Sequence, residues 1–383
     1  MGFKTNAATW LVAVLLCSLV VAPLASTDVV NGHSASFTDS TVSDHRGDVI
    51  EITVSTSKAA TVNIGSKAKG FWVQANVTAG TTTLALNTYR ADDPNDLVTL
   101  VKGRLKGTPN ARVPSEVGPL QPGTYDMNVT VDGVRQDVGS FTVKERKTGD
   151  ARTLVLPADT DISAFESVEE LNESVATTDA NGTIASGDQF VLGVDVSGLG
   201  GFIEHANLNG SDENVSVTFR ESNSNRNTVP NEFDGDTATR FWDEETDTLY
   251  LIVDTAAHSI EVGEEYEVTF EIGAGNPMVA ESELATTSFS VVERRVTLDY
   301  TGDVMVVANE TTIGGNTTLA PGTTINVTAF SPTVIGEGQT EPVWTVVSID
   351  ADATDATLVV SDRVKHGGVR IEFARDSNLA VEL

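Results

Sequence analysis

The chain has 383 residues, 40% of them hydrophobic, and sets 24 Lys and Arg against 55 Asp and Glu for a formal net charge of −31. A surface this acidic repels nucleic acid and anionic membranes, which excludes both as partners. Apolar residues in strand-like alternation exclude a disordered chain, and acid excess with few Lys fits molar salt, where the screening length falls to about 3 Å.

Lys4 lies in a short polar start, and Trp10–Ala22 is apolar except for Ser18. That run is shorter than the ~20 residues of a membrane-spanning helix, and Pro23-Leu24-Ala25 before Ser26-Thr27 offers a small-residue cleavage site. Residues 1–25 are therefore expected to be a signal peptide. Cys17, the one cysteine, sits inside the apolar stretch behind Leu15-Leu16, which argues against lipidation. With it removed, the mature chain has no disulfide, and stability must come from its hydrophobic cores.

Beyond the leader the pattern is all-β, and tandem Ig-like β-sandwich domains are expected at 26–148, 149–295 and 296–383. In the first, Asp48–Val54, Ala60–Ile64, Gly70–Thr78, Thr82–Tyr89 and Val98–Lys102 read as strands, followed by a turn-rich stretch, Lys106–Pro122. Tyr125–Val131 and Val134–Val143 flank Asp132-Gly133, the signature of a type I′ hairpin. A charged linker, Lys144–Asp150, leads into the second domain. Within Asp161–Val175 the spacing of Ile162, Phe165, Val168 and Leu171 predicts a short helix, with Ser163 and Glu166 as its capping box. Strands follow at Gln189–Val196, Asn214–Arg220, Thr248–Asp254, Tyr266–Ile272 and Thr287–Glu293. The third domain reads as Val304–Ala308, Thr324–Phe330, Val343–Ile349, Ala356–Val360 and Val369–Phe373.

Two repeats mark the joints. Phe141-Thr142-Val143-Lys144-Glu145-Arg146 returns as Phe289-Ser290-Val291-Val292-Glu293-Arg294. A Gly-led turn recurs at Gly123-Thr124-Tyr125, Gly263-Glu264-Glu265-Tyr266 and Pro321-Gly322-Thr323-Thr324. Each is expected to lead into a penultimate strand, where a Tyr can tie down the corner.

Asn-x-Ser/Thr occurs nine times, at Asn76, Asn128, Asn172, Asn181, Asn209, Asn214, Asn309, Asn316 and Asn326. At Asn76, Asn128, Asn214 and Asn326 the alternation turns the Asn and its hydroxyl partner to the solvated face. A glycan needs that exposure, and N-linked glycans on an extracellular protein are the expectation.

The run Thr41-Val42-Ser43-Asp44-His45-Arg46-Gly47-Asp48 into Ile50-Glu51-Ile52-Thr53-Val54 resembles a known group, and so does Ala60-Thr61-Val62-Asn63-Ile64-Gly65-Ser66. The Phe289–Arg294 repeat and Thr312-Ile313-Gly314-Gly315-Asn316-Thr317-Thr318-Leu319-Ala320-Pro321-Gly322 continue the likeness, which covers most of the mature chain. The group is the haloarchaeal surface glycoproteins with the BGTF surface domain, related to S-layer glycoproteins. The resemblance implies a non-enzymatic, N-glycosylated cell-envelope protein, with itself or other envelope glycoproteins as partners. Such relatives end in a Thr-rich stalk, a Pro-Gly-Phe signal and a hydrophobic segment exchanged for a lipid. Ala380-Val381-Glu382-Leu383 carries none of these, so the mode of attachment is not expected to follow from it.

Catalytic motifs are absent. His33, His45, His205, His258 and His366 are scattered, none in His-Glu-x-x-His, and neither a Gly-x-Ser-x-Gly elbow nor a P-loop occurs. Gly198–Gly201 follows a strand without an ensuing helix and reads as a loop. No cofactor is expected, apart from one calcium hypothesis. Asp92, Asp93 and Asp96; Asp243, Glu244, Glu245 and Asp247; and Asp350, Asp352 and Asp355 are either salt-adapted decoration of turns or raw material for structural calcium. Trp72, Trp242 and Trp344 raise the alternative of a surface adhesin or carbohydrate-binding module.

Overall fold

The computed structural model describes residues 34–298, apart from 92, 94, 95 and 113–117, together with 312–326, 346–348, 356–358, 369–374 and 378–382. The leader and cleavage site, the strand expected at Val304–Ala308, Trp344, His33, His366 and Asn309 lie outside these residues. So do Asp350, Asp352 and Asp355.

The first sandwich runs through β1 (Ala35–Phe37), β2 (Thr41–His45), β3 (Val49–Thr56), β4 (Ala60–Ser66), β5 (Phe71–Val77), β6 (Gly80–Asn87), β7 (Val98–Lys102), β8 (Asn110–Arg112), β9 (Gly123–Val131) and β10 (Val134–Lys144). These form a four-stranded sheet, β1-β3-β6-β7, and a six-stranded sheet, β2-β10-β9-β4-β5-β8. Alternation assigns the faces. Ile50, Ile52 and Val54 of β3 are buried while Glu51 is exposed. They meet Ile64, Phe71, Val73, Leu84, Leu86, Val129 and Phe141 in one core, each large side chain contributing roughly 1.5–3 kcal/mol by leaving water. Asp132 and Gly133 take φ of 49° and 78°, and Val131 pairs with Val134, which is the expected hairpin.

The second sandwich comprises β11 (Thr148–Leu156), α1 (Val168–Ser174), β12 (Ala176–Thr177), β13 (Thr183–Ala185), β14 (Gln189–Val196), β15 (Val215–Glu221), β16 (Glu232–Asp234), β17 (Thr239–Asp243), β18 (Thr248–Asp254), β19 (Glu265–Ile272) and β20 (Glu283–Val292). Its sheets are β12-β11-β14-β18-β17 and β13-β20-β19-β15-β16. In each sandwich an early strand joins the last strand in parallel: β2 beside β10 and β13 beside β20. The second sandwich follows the immunoglobulin order, with edge strand β17 preceding central strand β18. The first inverts it, since central β6 precedes edge β7.

Three local expectations change. The expected linker Lys144–Asp150 is mostly strand, because β10 ends at Lys144 and β11 begins at Thr148. The helix forms, but its cap is Ser167, whose Oγ accepts from the Glu170 N–H, while the Glu170 carboxylate accepts from the Glu166 N–H at 2.8 Å. Asp161, not Ser163, caps the preceding 3-10 turn. The apolar stripe expected of one helix is shared between the two: Ile162, Phe165, Val168 and Leu171 cover the outer side of β14 and β18 against Val191, Tyr250 and Ile252. That cover explains why Phe190-Val191-Leu192 and Tyr250-Leu251-Ile252 are buried on both faces rather than alternating.

The Phe-x-Val repeat is the last strand of each sandwich. Phe141 lies cross-strand from Tyr125 with rings stacked at 4.9 Å, and Phe289 lies cross-strand from Tyr266 at 5.2 Å. Tyr125 donates its hydroxyl to the Gln121 carbonyl at 2.7 Å, a tyrosine corner. Tyr266 instead donates to Glu264 and accepts from Asn231. The third Gly-led turn differs from its expectation, for Gly322 leads into β23 (Thr324–Asn326), which is not a penultimate strand. The remaining described strands are β21 (Val296–Leu298), β22 (Thr312–Thr317), β24 (Val346–Ser348), β25 (Ala356–Leu358), β26 (Val369–Ala374) and β27 (Asn378–Glu382), in sheets β21-β22-β27-β26-β25 and β23-β24.

Candidate functional site

Among the described residues two surfaces bring polar side chains together: the wet face of the six-stranded sheet and the joint between the first two sandwiches. On the wet face, Asn76 of β5 is exposed and Asn128 of β9 half-buried, while Ala75, Val77, Met127 and Val129 face the core. Thr61 Oγ1 donates to Asn76 Oδ1 at 2.8 Å, and Asn63 Nδ2 donates to Asn128 Oδ1 at 3.0 Å. Gln74 completes the row by donating to Asn63 Oδ1 at 2.9 Å. Both acceptor oxygens are therefore held, and among the described residues neither Nδ2 has a protein partner.

The other sequons sit in different settings. Asn172 is exposed on α1 but donates Nδ2 to Asp243 Oδ2 at 3.0 Å. Asn181 lies in a turn where Asp179 accepts its N–H, and the sequon hydroxyl of Thr183 donates to that same carboxylate. Asn209 Oδ1 accepts the N–H of its sequon partner Ser211 at 2.8 Å. Asn214 falls one residue before β15, at φ 52°, so it is a turn residue rather than the strand residue that alternation implied. Asn316 lies in β22 and Asn326 in β23.

At the joint, the turn between β2 and β3 meets the Gly198–Gly201 loop. Asp48 is 5% exposed. Its Oδ2 accepts from Gly198 N and its Oδ1 from Gly200 N, each at 2.8 Å. Gly201 N donates to Gly47 O at 2.8 Å, and Asn87 Nδ2 to Gly201 O at 2.7 Å. Arg46 spans the boundary, donating to Pro119 O and Leu120 O on one side and Pro277 O and Met278 O on the other. Tyr89 packs on Phe202 with ring centroids 4.3 Å apart. Close approach requires glycine here: Gly47 has φ 105°, and a Cβ on it would overlap the Gly198 carbonyl oxygen.

Charge at the joint is unusual. Burial pushes the Asp48 carboxyl up to about 7, against the pull of its two N–H partners, with Asp44 and Asp247 adding like-charge repulsion. Burial also raises Asp44 and Asp247. His45 Nδ1 lies 3.1 Å from Asp247 Oδ2. Ligand atoms of Asp44, His45, Asp48 and Asp247 all fall within 4.8 Å of one another, so among the described residues this set could hold a cation. Of the described residues in the acidic runs singled out by sequence, Asp247 alone belongs to this set. Asp243 instead accepts backbone N–H bonds from Glu245 and Thr246, an ordinary turn role.

Sequence reasoning missed this joint because its parts are short and dispersed. The usable signal was Gly-Asp directly before an alternating strand, with the Gly198–Gly201 loop as its counterpart. Tryptophans do not converge: Trp72 lies on β5 beneath Lys67 at 5.8 Å, while Trp242 lines a shallow groove of about 670 Å³ in the second sandwich with Glu204, His205 and Arg240. His258 stacks on Phe233 at 4.0 Å. Among the described residues no helix is long and apolar enough to cross a membrane.

A family described as a domain of unknown function (DUF7827) matches residues 28–132. The chain is 26% identical over 360 residues to a cell surface glycoprotein of Haloferax gibbonsii, covering 84% of this chain and 40% of that protein. It is 24% identical over 389 residues to cell surface glycoprotein 1 of Haloarcula hispanica, covering 85% and 41%. The chain thus spans about 40% of the length of the curated relatives it matches. A marsupial T cell receptor aligns over 88% of this chain and 98% of its own at 10% identity, with a TM-score of 0.18. That likeness carries no argument, and the sandwich architecture rests on the sheets themselves.

Proposed function

We propose that this chain, similar over most of its length to haloarchaeal cell surface glycoproteins, is a non-enzymatic structural glycoprotein of the outer surface of a salt-adapted archaeon. The observation that carries the reading is that similarity, at 84% of the chain. Geometry supports it independently: sequons Asn76 and Asn128 ride the wet face of a sheet whose dry face is core. On this reading the sandwiches supply stiffness, while glycans and carboxylates hold water at the surface and keep the protein soluble in brine. Self-association or association with other envelope glycoproteins follows as the expected partnership.

Labelling intact cells in molar salt with a membrane-impermeant amine reagent tests location. The protein should be labelled through exposed lysines such as Lys58 and Lys102 before lysis. Labelling only after lysis would overturn the reading.

A further inference from the structure

The same turn leads into a strand three times among the described residues: once in each sandwich, and once in the strands that follow them. In the first, Gly47 at φ 105° precedes Asp48, whose N–H reaches back to His45 O at 3.0 Å. In the second, Gly187 at φ 86° precedes Asp188, whose N–H bonds to Ala185 O at 2.9 Å. In the third, Gly322 at φ 87° precedes Thr323, whose N–H bonds to Ala320 O at 3.2 Å. Positive φ explains the glycine in all three.

The side chain after the glycine is what differs. Asp48 reaches out of its own sandwich to Gly198 N and Gly200 N of the second. Asp188 reaches out of the second to Ala320 N of the third at 2.8 Å, while also accepting Ala158 N at 3.2 Å and pairing with Arg294. Thr323 turns inward, donating its hydroxyl to Ala320 O of its own turn at 2.7 Å. Both carboxylates are buried, Asp188 completely. Both also stand at boundaries crossed by very short connections, residues 145–147 and 293–295.

We propose that the Gly-Asp turn is an orientation lock between successive sandwiches. Domains joined by a linker move relative to one another by default unless their interface fixes them. A carboxylate suits the task because its two oxygens serve two N–H donors at once, and charge strengthens each bond. Once buried, it has no water to exchange those donors for. The glycine sets the turn, the turn aims the carboxylate, and the carboxylate captures backbone of the next sandwich rather than a side chain that could swing away. This assignment is independent of where the chain works, so its failure and that of the surface reading are separable.

The test uses the full chain with Cys17→Ser and spin labels at Thr99→Cys on β7 and Glu267→Cys on β19, both exposed positions. Double electron–electron resonance in molar salt should give a narrow distance distribution for the parent. Asp48→Ala should broaden it about twofold or more as the sandwiches gain their default freedom, with near-UV circular dichroism unchanged. Asp48→Asn keeps one acceptor oxygen and should fall between the two. Asp44→Ala removes a neighbouring charge without touching the captured N–H groups, and should leave the width unchanged. An unchanged width in Asp48→Ala, or equal broadening in Asp44→Ala, would overturn the proposal. If Asp48→Ala does not fold, a parental width in Asp48→Asn overturns it instead.

Discussion

Asn172 donates its side-chain Nδ2 to Oδ2 of Asp243 across 3.0 Å, so the atom that would bear a glycan is engaged in the fold. Asp243 is itself held below the usual carboxylate range: burial pushes it up, but hydrogen bonds from Thr246, Asn172 and Glu245 outweigh that. Asn76 and Asn128 present the opposite arrangement, oxygen held and nitrogen unpartnered. Glycopeptide mass spectrometry of native protein should therefore find higher occupancy at Asn76 and Asn128 than at Asn172. Equal or inverted occupancy would show that the folded hydrogen bonds do not govern modification.

The tyrosine corner gives a local stability test. Tyr125→Phe removes the hydroxyl bond to Gln121 O but keeps the ring stacked on Phe141, and should cost about 0.5–1.5 kcal/mol. Tyr125→Ala removes the ring as well and should cost roughly 3–5 kcal/mol, the range for deleting a buried aromatic. Denaturant unfolding in constant salt measures both. Near-equal costs would mean the ring contributes little and the corner most.

Glycines at the joint and in the hairpin separate strain from collision. Gly133 has φ 78° with open space where a Cβ would go, whereas Gly47 has φ 105° with the Gly198 carbonyl in the way. Gly133→Ala should cost only the left-handed penalty, of order 1–2 kcal/mol. Gly47→Ala should cost more and split the thermal transition in two as the sandwiches uncouple. Calorimetry showing one shared transition in Gly47→Ala would contradict this.

A pH dependence follows from the second sandwich's side of the joint. Burial pushes the Glu283 carboxyl up, but hydrogen bonds from Thr148 and Arg146 outweigh it and hold the group below its ordinary value. A depressed folded value means the stabilisation is present above the ordinary glutamate range and lost as pH falls through the folded value. Glu283 is 41% exposed, so screening keeps the contribution to roughly a few tenths of a kcal/mol. Comparing Glu283→Gln with parent should show the parent more stable near neutrality and the gap closing in acid. A gap that widens on acidification would reverse the sign.

Legibility in the sequence divided along physical lines. Val98–Lys102, Gln189–Val196 and Thr248–Asp254 were read to the residue because each holds a dense run of apolar side chains and turn residues bound it. Thr148–Leu156 was missed because its first half is Gly149, Asp150 and Arg152, and charge there resembled a linker. Thr41–His45 alternates weakly and is held by its parallel neighbour rather than by its own pattern. Apolar spacing found the helix, but placed its cap one turn early, because Ser163 and Ser167 are both followed three residues on by Glu. The joint was least visible: Asp48 and Gly198 are 150 residues apart, and nothing in an isolated Gly-Asp says that its carboxylate leaves its own sandwich.

Intact-mass measurement of the protein from fractionated cells reads both where the chain resides and what it carries. A surface-associated species is expected whose mass exceeds that of the leader-free polypeptide by glycan increments, with the increments at Asn76 and Asn128 lost when those residues are replaced by Gln. A cytoplasmic species at the unmodified polypeptide mass would contradict it.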